Sequence, residues 1–95
     1  MRFEWDSQKN TTNQFKHGVS FSTAKKAFND ENAVELADEL HSRNENRYIL
    51  LGKVRKILFV VYTIRNCDTI RIISARKATH KEEMIYYDHN GISER

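Results

Sequence analysis

Lys9, Asn13, Lys16 and His17 recur at i, i+4, i+7 and i+8, a spacing that lines them along one face of a helix. Two cations, an amide and an imidazole suit a nucleic-acid backbone, although a solvated face with a basic C-terminal turn explains the spacing equally well. His17 is the member of this group able to carry a proton near neutral pH. A second set lies late in the chain, on strand-forming segments. Arg71 interrupts an otherwise apolar strand face, where a guanidinium is costly unless a carboxylate or a phosphate meets it; Glu82 or Glu45 would serve as an internal partner. Arg47, Arg65 and Arg76 fall at strand ends, with Lys77 alongside, at the rims where folds display functional groups. Strict alternation sends Arg71 and Arg76 to opposite faces.

Cleaving RNA without a metal needs a base for the ribose 2′-hydroxyl proton, an acid for the departing 5′-oxygen, and cations for charge building on phosphorus. His17 offers proton transfer, the arginines offer charge, and Tyr62, Tyr86 and Tyr87 could stack bases or fill a core. Glu82 is a further proton acceptor by type, but a capping box already accounts for it. Four histidines and one cysteine show no metal-ligand spacing, and no glycine-rich phosphate loop occurs, so neither a metal nor another cofactor is expected. Ser74 and Cys67 have no evident activating partner.

The totals agree with a polyanionic partner. Sixteen Lys plus Arg against thirteen Asp plus Glu give +3 over 95 residues. The excess is concentrated: Arg43, Arg47, Lys53, Arg55, Lys56, Arg65, Arg71, Arg76, Lys77 and Lys81 face only Glu45 and Asp68 over that stretch. A chain this short forms one domain, 1–95, with a thin core, so a shallow surface groove suits it better than an enclosed cavity. One cysteine excludes an internal disulfide and favours a reducing compartment. The opening residues lack a leader's charge and apolar pattern, and Ile57 to Tyr62 is too short to span a bilayer; a cytoplasmic protein without membrane contact is expected.

The elements that must position these groups are legible in outline. Arg2 to Trp5 is a short strand, and Asp6 caps a helix that Gly18 stops. Ser20 caps a second helix carrying Phe21, Ala24 and Phe28 inward. Val34, Leu36 and Leu40 alternate, which favours a strand over a helix within Ala33 to Leu40. His41 to Asn46 is a polar loop. Three strands follow, Arg47 to Val54, Ile57 to Ile64 and Thr69 to Ala75, as an antiparallel meander whose apolar middle member should be covered on both faces. Thr79-His80-Lys81-Glu82 opens a last helix that ends before Asn90-Gly91. The expected class is α+β, with two N-terminal helices and one C-terminal helix on the meander. Apolar patches near Phe28 and Tyr87 are candidates for a protein interface.

In order, Phe3-Glu4-Trp5-Asp6, Lys9, Asn13, Lys16-His17-Gly18-Val19, Phe21, Ala24, Phe28 and Asp30 resemble the opening of the BrnT toxin family. Glu45, Arg47, Ile49, Gly52, Phe59-Val60-Val61-Tyr62-Thr63, Arg65 and Arg71-Ile72-Ile73-Ser74-Ala75-Arg76-Lys77-Ala78-Thr79, with Glu82 and Tyr86, extend the likeness along nearly the whole chain. The resemblance implies a type II toxin: an endoribonuclease with a RelE-like fold, neutralised by a ribbon-helix-helix antitoxin similar to BrnA. Contact with DNA would come only through the antitoxin complex, within which the toxin could form a homodimer. Glu83 departs from the family, which commonly carries a basic residue there. The matched site candidates are Lys9, His17, Arg47, Arg65, Arg71 and Arg76. A non-catalytic basic module that binds RNA, or acts inside a DNA-binding complex, is the competing reading.

Overall fold

The computed structural model describes residues 1–41 and 45–91. Strand β1 (Arg2–Glu4) leads into helix α1 (Ser7–His17), α2 (Phe21–Lys26), a 3₁₀ turn over Ala27–Asn29, and β2 (Val34–Ala37). A second 3₁₀ turn, Glu39–His41, precedes β3 (Arg47–Val54), β4 (Lys56–Arg65), β5 (Thr69–Lys77) and α3 (His80–His89). The helix boundaries follow from side-chain chemistry. Asp6 accepts the amides of Gln8 and Lys9 at 2.8 and 3.0 Å, and Gly18 closes α1 at φ 70°, a conformation that costs a residue without a Cβ little. Ser20 caps α2, and Thr79 with Glu82 forms the reciprocal box that starts α3.

The strands form a single mixed sheet in the order β1-β5-β4-β3-β2. β3, β4 and β5 form the expected antiparallel meander and β2 joins β3 antiparallel, but β1 pairs parallel to β5, a non-local pairing of three residues. The β4–β5 turn places Asn66 and Cys67 at φ 55° and 65°, the paired positive values that suit the twist of a tight hairpin.

One face of the sheet is covered by α2 and the segments flanking it. Val19, Phe21, Ala24 and Ala27 pack there on Leu50, Leu58, Val60, Ile70, Ile72 and Ala75. β3 comes so close to the 3₁₀ turn that a Cβ on Gly52 would lie 2.5 Å from the carbonyl oxygen of Ala27, so glycine is required by contact. The opposite face is covered only at one end, where Tyr86 of α3 joins Val34, Leu51 and Ile57. The meander's middle strand is therefore enclosed on one face and partly open on the other, where Phe59 and Val61 are only half-buried. Phe28 packs edge-on against Phe3 and Tyr62, and Tyr87 against Tyr86, with Ile85 near Tyr87 on α3 42% exposed, while Phe15 and Leu40 add apolar exposure elsewhere at 92% and 89%.

β1 runs out after Glu4, leaving the edge of β5 beyond Arg71 without a strand partner. Asn13 of α1 fills part of that gap. Its side-chain amide donates to the carbonyl of Ala75 at 2.8 Å and accepts the Ala75 amide at 3.1 Å, the pair of bonds a neighbouring strand would make. A third bond reaches the Val19 carbonyl. α1 is thereby fixed along the edge of β5.

Candidate functional site

Strand register puts Arg47, Thr63, Arg71 and Glu4 in one row across β3, β4, β5 and β1. Cross-strand partners share a face, so both arginines stand on the partly open side. Arg65, two residues beyond Thr63, joins them by alternation. Arg76 pairs with Phe59 on the same side, although five residues separate it from Arg71. The expectation that these two point oppositely is overturned by a β-bulge: Ser74 pairs with Val61 and Ile72 with Tyr62, so Ile73 is inserted without a cross-strand partner. The extra residue reverses the alternation once and so puts Arg76 on the face that Arg47, Arg65 and Arg71 already share.

Their partners differ in strength. Glu4 meets Arg71 Nη1 at 3.0 Å and Arg65 Nε at 3.7 Å, replacing Glu82 and Glu45 as the expected partner of Arg71. These pairs are part-exposed, each worth about 0–1 kcal/mol, so a phosphate can compete for either guanidinium. Arg76 is held more firmly. Its two terminal nitrogens engage both oxygens of Glu82 at 2.9 and 3.0 Å, and its guanidinium lies 3.9 Å above the Phe59 ring. Glu82 thus caps α3 and locks Arg76 at once. Burial would raise its carboxyl, but the bonds from Arg76 and the Thr79 amide outweigh that and hold it below its ordinary range, as an anion rather than a proton carrier.

Between Arg47 and Arg76 lies a groove of about 320 Å³, lined also by Asp38, His41, Ile49, Phe59, Val61, Ile73 and Ser74, whereas Arg65 and Arg71 line neither this groove nor the one beside α1. Asp38 and His41 are the functional candidates that sequence reasoning passed over. The 3₁₀ turn places the His41 Nδ1 3.1 Å from both carboxylate oxygens of Asp38. Their i, i+3 spacing ahead of β3 is a weak signal inside a polar loop, since only the turn makes them meet.

A second groove, about 520 Å³, runs between α1 and the edge of β5, lined by Asp6, Gln8, Lys9, Thr12, Asn13, Lys16, His17, Ile73 and Ser74. The two grooves share Ile73 and Ser74, so the bulge is the ridge at which they join. Lys9, Lys16 and His17 converge on this edge groove. Asn13 lines it too, but its amide is buried and fully engaged with Ala75 and Val19. Asp6 stays anionic: the amides of Lys9 and Gln8, and more weakly the charge of Arg71, hold its pKa below the ordinary value. A phosphate is therefore favoured on the Lys9, Lys16 and arginine sides rather than beside Asp6.

Other candidates are placed apart. Lys77 pairs with buried Leu58 and so leaves from the face opposite the arginines. Tyr62 and Tyr86 are core residues whose hydroxyls donate to Glu35 and Asp30, and burial first, then those carboxylates, raises both phenols. Neither offers a free ring face for stacking. Arg43 lies outside the described residues. Among the described residues, no group of three or more His, Cys, Asp or Glu side chains could hold a metal ion, and no helix is long and apolar enough to cross a membrane.

Comparison with known proteins identifies the family and the fold. The family model described as "Ribonuclease toxin, BrnT, of type II toxin-antitoxin system" matches residues 5–82. The crystal structure of the Brucella abortus ribonuclease toxin BrnT is similar at a TM-score of 0.65, with 23% identity, over 84% of this chain and 99% of that one. At that identity the likeness speaks to the fold, a small α+β domain. No individually curated protein matches the chain.

Proposed function

The chain belongs to the BrnT family of ribonuclease toxins of type II toxin–antitoxin systems, and on that premise we propose that it is a metal-independent endoribonuclease whose scissile phosphate lies across the joined grooves. The observation that carries this reading is the bulge at Ile73, which puts Arg76 on the face of Arg47, Arg65 and Arg71, beside the groove holding Lys9, Lys16 and His17. Fixed cations aimed at one place stabilise the charge that develops as a phosphodiester passes through its pentacoordinate transition state. Arg76 is the most rigid of them, and the N–H groups not engaged by Glu82 and the Lys77 carbonyl remain available to a non-bridging oxygen. Arg71 and Arg65 exchange Glu4 for phosphate. Lys9 and Lys16 track the neighbouring backbone, and His17 moves a proton.

The reaction is attack by the ribose 2′-hydroxyl on the adjacent phosphorus, leaving a 2′,3′-cyclic phosphate and a 5′-hydroxyl. Open, shallow grooves fit a polymer better than a small metabolite. The neutralising partner is a ribbon-helix-helix antitoxin that covers the cationic face.

Purified chain incubated with RNA in EDTA should give fragments ending in 2′,3′-cyclic or 3′-phosphate. RNA left intact at stoichiometric protein overturns the reading, and salt-sensitive binding without cleavage would mark a non-catalytic module.

A further inference from the structure

We propose that His41, steadied by Asp38, is the general base that takes the 2′-hydroxyl proton, with His17 returning a proton to the 5′-oxygen from the adjoining groove. This rests on the ribonuclease reading above and assigns the two proton transfers that it requires.

The argument begins with placement. His41 lies in the groove that contains Arg47 and Arg76, the groups best positioned to hold a phosphate. Its Nδ1 is fixed by Asp38 at 3.1 Å to both carboxylate oxygens, which selects the tautomer with the proton on Nδ1 and the lone pair on Nε2. Nε2 has no partner among the described residues. Asp38 is only 14% exposed at its side chain while His41 is 66% exposed, so the carboxylate forms the wall and the imidazole presents itself to solvent or substrate. A carboxylate behind an imidazole orients the ring and stabilises the imidazolium that forms when a proton is taken. Among the described residues, the charged groups facing His41 in this groove are Asp38 from its own turn, Arg47 from β3 and Arg76 from β5, the last tied to Glu82 of α3.

His17 lines the edge groove, which shares Ile73 and Ser74 with the groove of His41. A substrate crossing that ridge would present its ribose to one histidine and its leaving oxygen to the other. The proton on the 2′-oxygen passes to Nε2 of neutral His41 as the bond from the 2′-oxygen to phosphorus forms. The bond from phosphorus to the 5′-oxygen breaks, and that oxygen takes a proton from the His17 imidazolium. Exchange with water then resets both rings.

The test measures single-turnover cleavage by the full chain of an oligoribonucleotide and of its 5′-bridging phosphorothiolate analogue, whose sulfur leaves without a proton. His41→Ala should slow both substrates by about 10²–10⁴-fold and remove the alkaline-rising limb of the pH–rate profile. His17→Ala should slow the ordinary substrate comparably and cleave the thio analogue nearly as fast as wild type. Asp38→Asn should lower the rate by about 10–100-fold and distort the same limb, while near-ultraviolet circular dichroism stays unchanged. An active wild type with an equally active His41→Ala, or a His41→Ala rescued by the sulfur leaving group, overturns the assignment while leaving the ribonuclease reading intact. A wild type that cleaves neither substrate overturns both.

Discussion

Asn13 and Ala75 are joined across 62 residues of sequence by two hydrogen bonds, so that a side-chain amide stands in for the next strand. Both Ala75 groups are buried, and removing their partner leaves a donor and an acceptor unsatisfied at about 1–3 kcal/mol each. Asn13→Ala should therefore lower the urea midpoint by an amount equivalent to about 2–6 kcal/mol and make the amide of Ala75 exchange faster. Asn13→Asp keeps the acceptor for the Ala75 amide but sets a buried carboxylate oxygen against the Val19 and Ala75 carbonyls, and should cost at least as much.

Arg76 tests the charge side of the site. Its fork fits Glu82 with two parallel bonds while stacking on Phe59, a geometry that an ammonium cannot reproduce. Arg76→Lys and Arg76→Ala should both reduce RNA cleavage by about 10²–10³-fold, the scale of one lost transition-state donor. If Arg76→Lys retained wild-type kcat, a role on the phosphate would be excluded.

Glu82→Gln separates locking from capping. The amide can still accept from the Thr79 backbone but no longer neutralises Arg76. Cleavage should drop through a lower kcat with KM little changed, while the helix content seen by far-ultraviolet circular dichroism is kept.

Acid should expose the bond between Asp30 and Tyr86. Burial would raise the Asp30 carboxyl, but bonds from the Tyr86 hydroxyl and the Asn32 and Lys53 amides hold it below its ordinary 3.8. A depressed carboxyl stabilises fully above its unfolded value and less as pH falls through the folded one, so unfolding free energy should decline below about pH 4. Asp30→Asn should flatten that decline, and Tyr86→Phe should cost about 1–2 kcal/mol at neutral pH in denaturant titration.

Gly52→Ala should destabilise by about 1–3 kcal/mol, since its Cβ would press on the backbone of Ala27. A thermal midpoint equal to wild type would mean that β3 and the 3₁₀ turn separate easily.

What could be read from the sequence was what short-range chemistry determines. Asp6, Gly18, Ser20, Thr79 and Glu82 mark helix ends because a cap acts within three or four residues. The meander was legible because its turns are tight and its strands β-branched. The parallel pairing of β1 was not, because three residues carry too little pattern to name a partner more than sixty residues away. Asn13 reads from its spacing as part of a stripe suited to a nucleic-acid backbone, and only the unpartnered edge of β5 gives its amide a structural use. His41 and Asp38 meet through a 3₁₀ turn that no periodicity announces. The arginines were identified by type, but their common side was misjudged, because alternation assumes an unbroken ladder.

Ile73 sets the phase of β5 as a frameshift sets a reading frame. Ile72 and Ser74 already oppose neighbouring residues of β4, so deleting Ile73 would leave a regular ladder with every facing kept. Drawing Ile73 into the ladder would instead swap inside for outside along one half of the strand, turning Ile70 and Ile72 to water and Arg71 into the apolar layer if the other half kept its pairing. Leaving this one residue out of the pairing is therefore as much a determinant of the surface that meets substrate as the identity of any side chain on it.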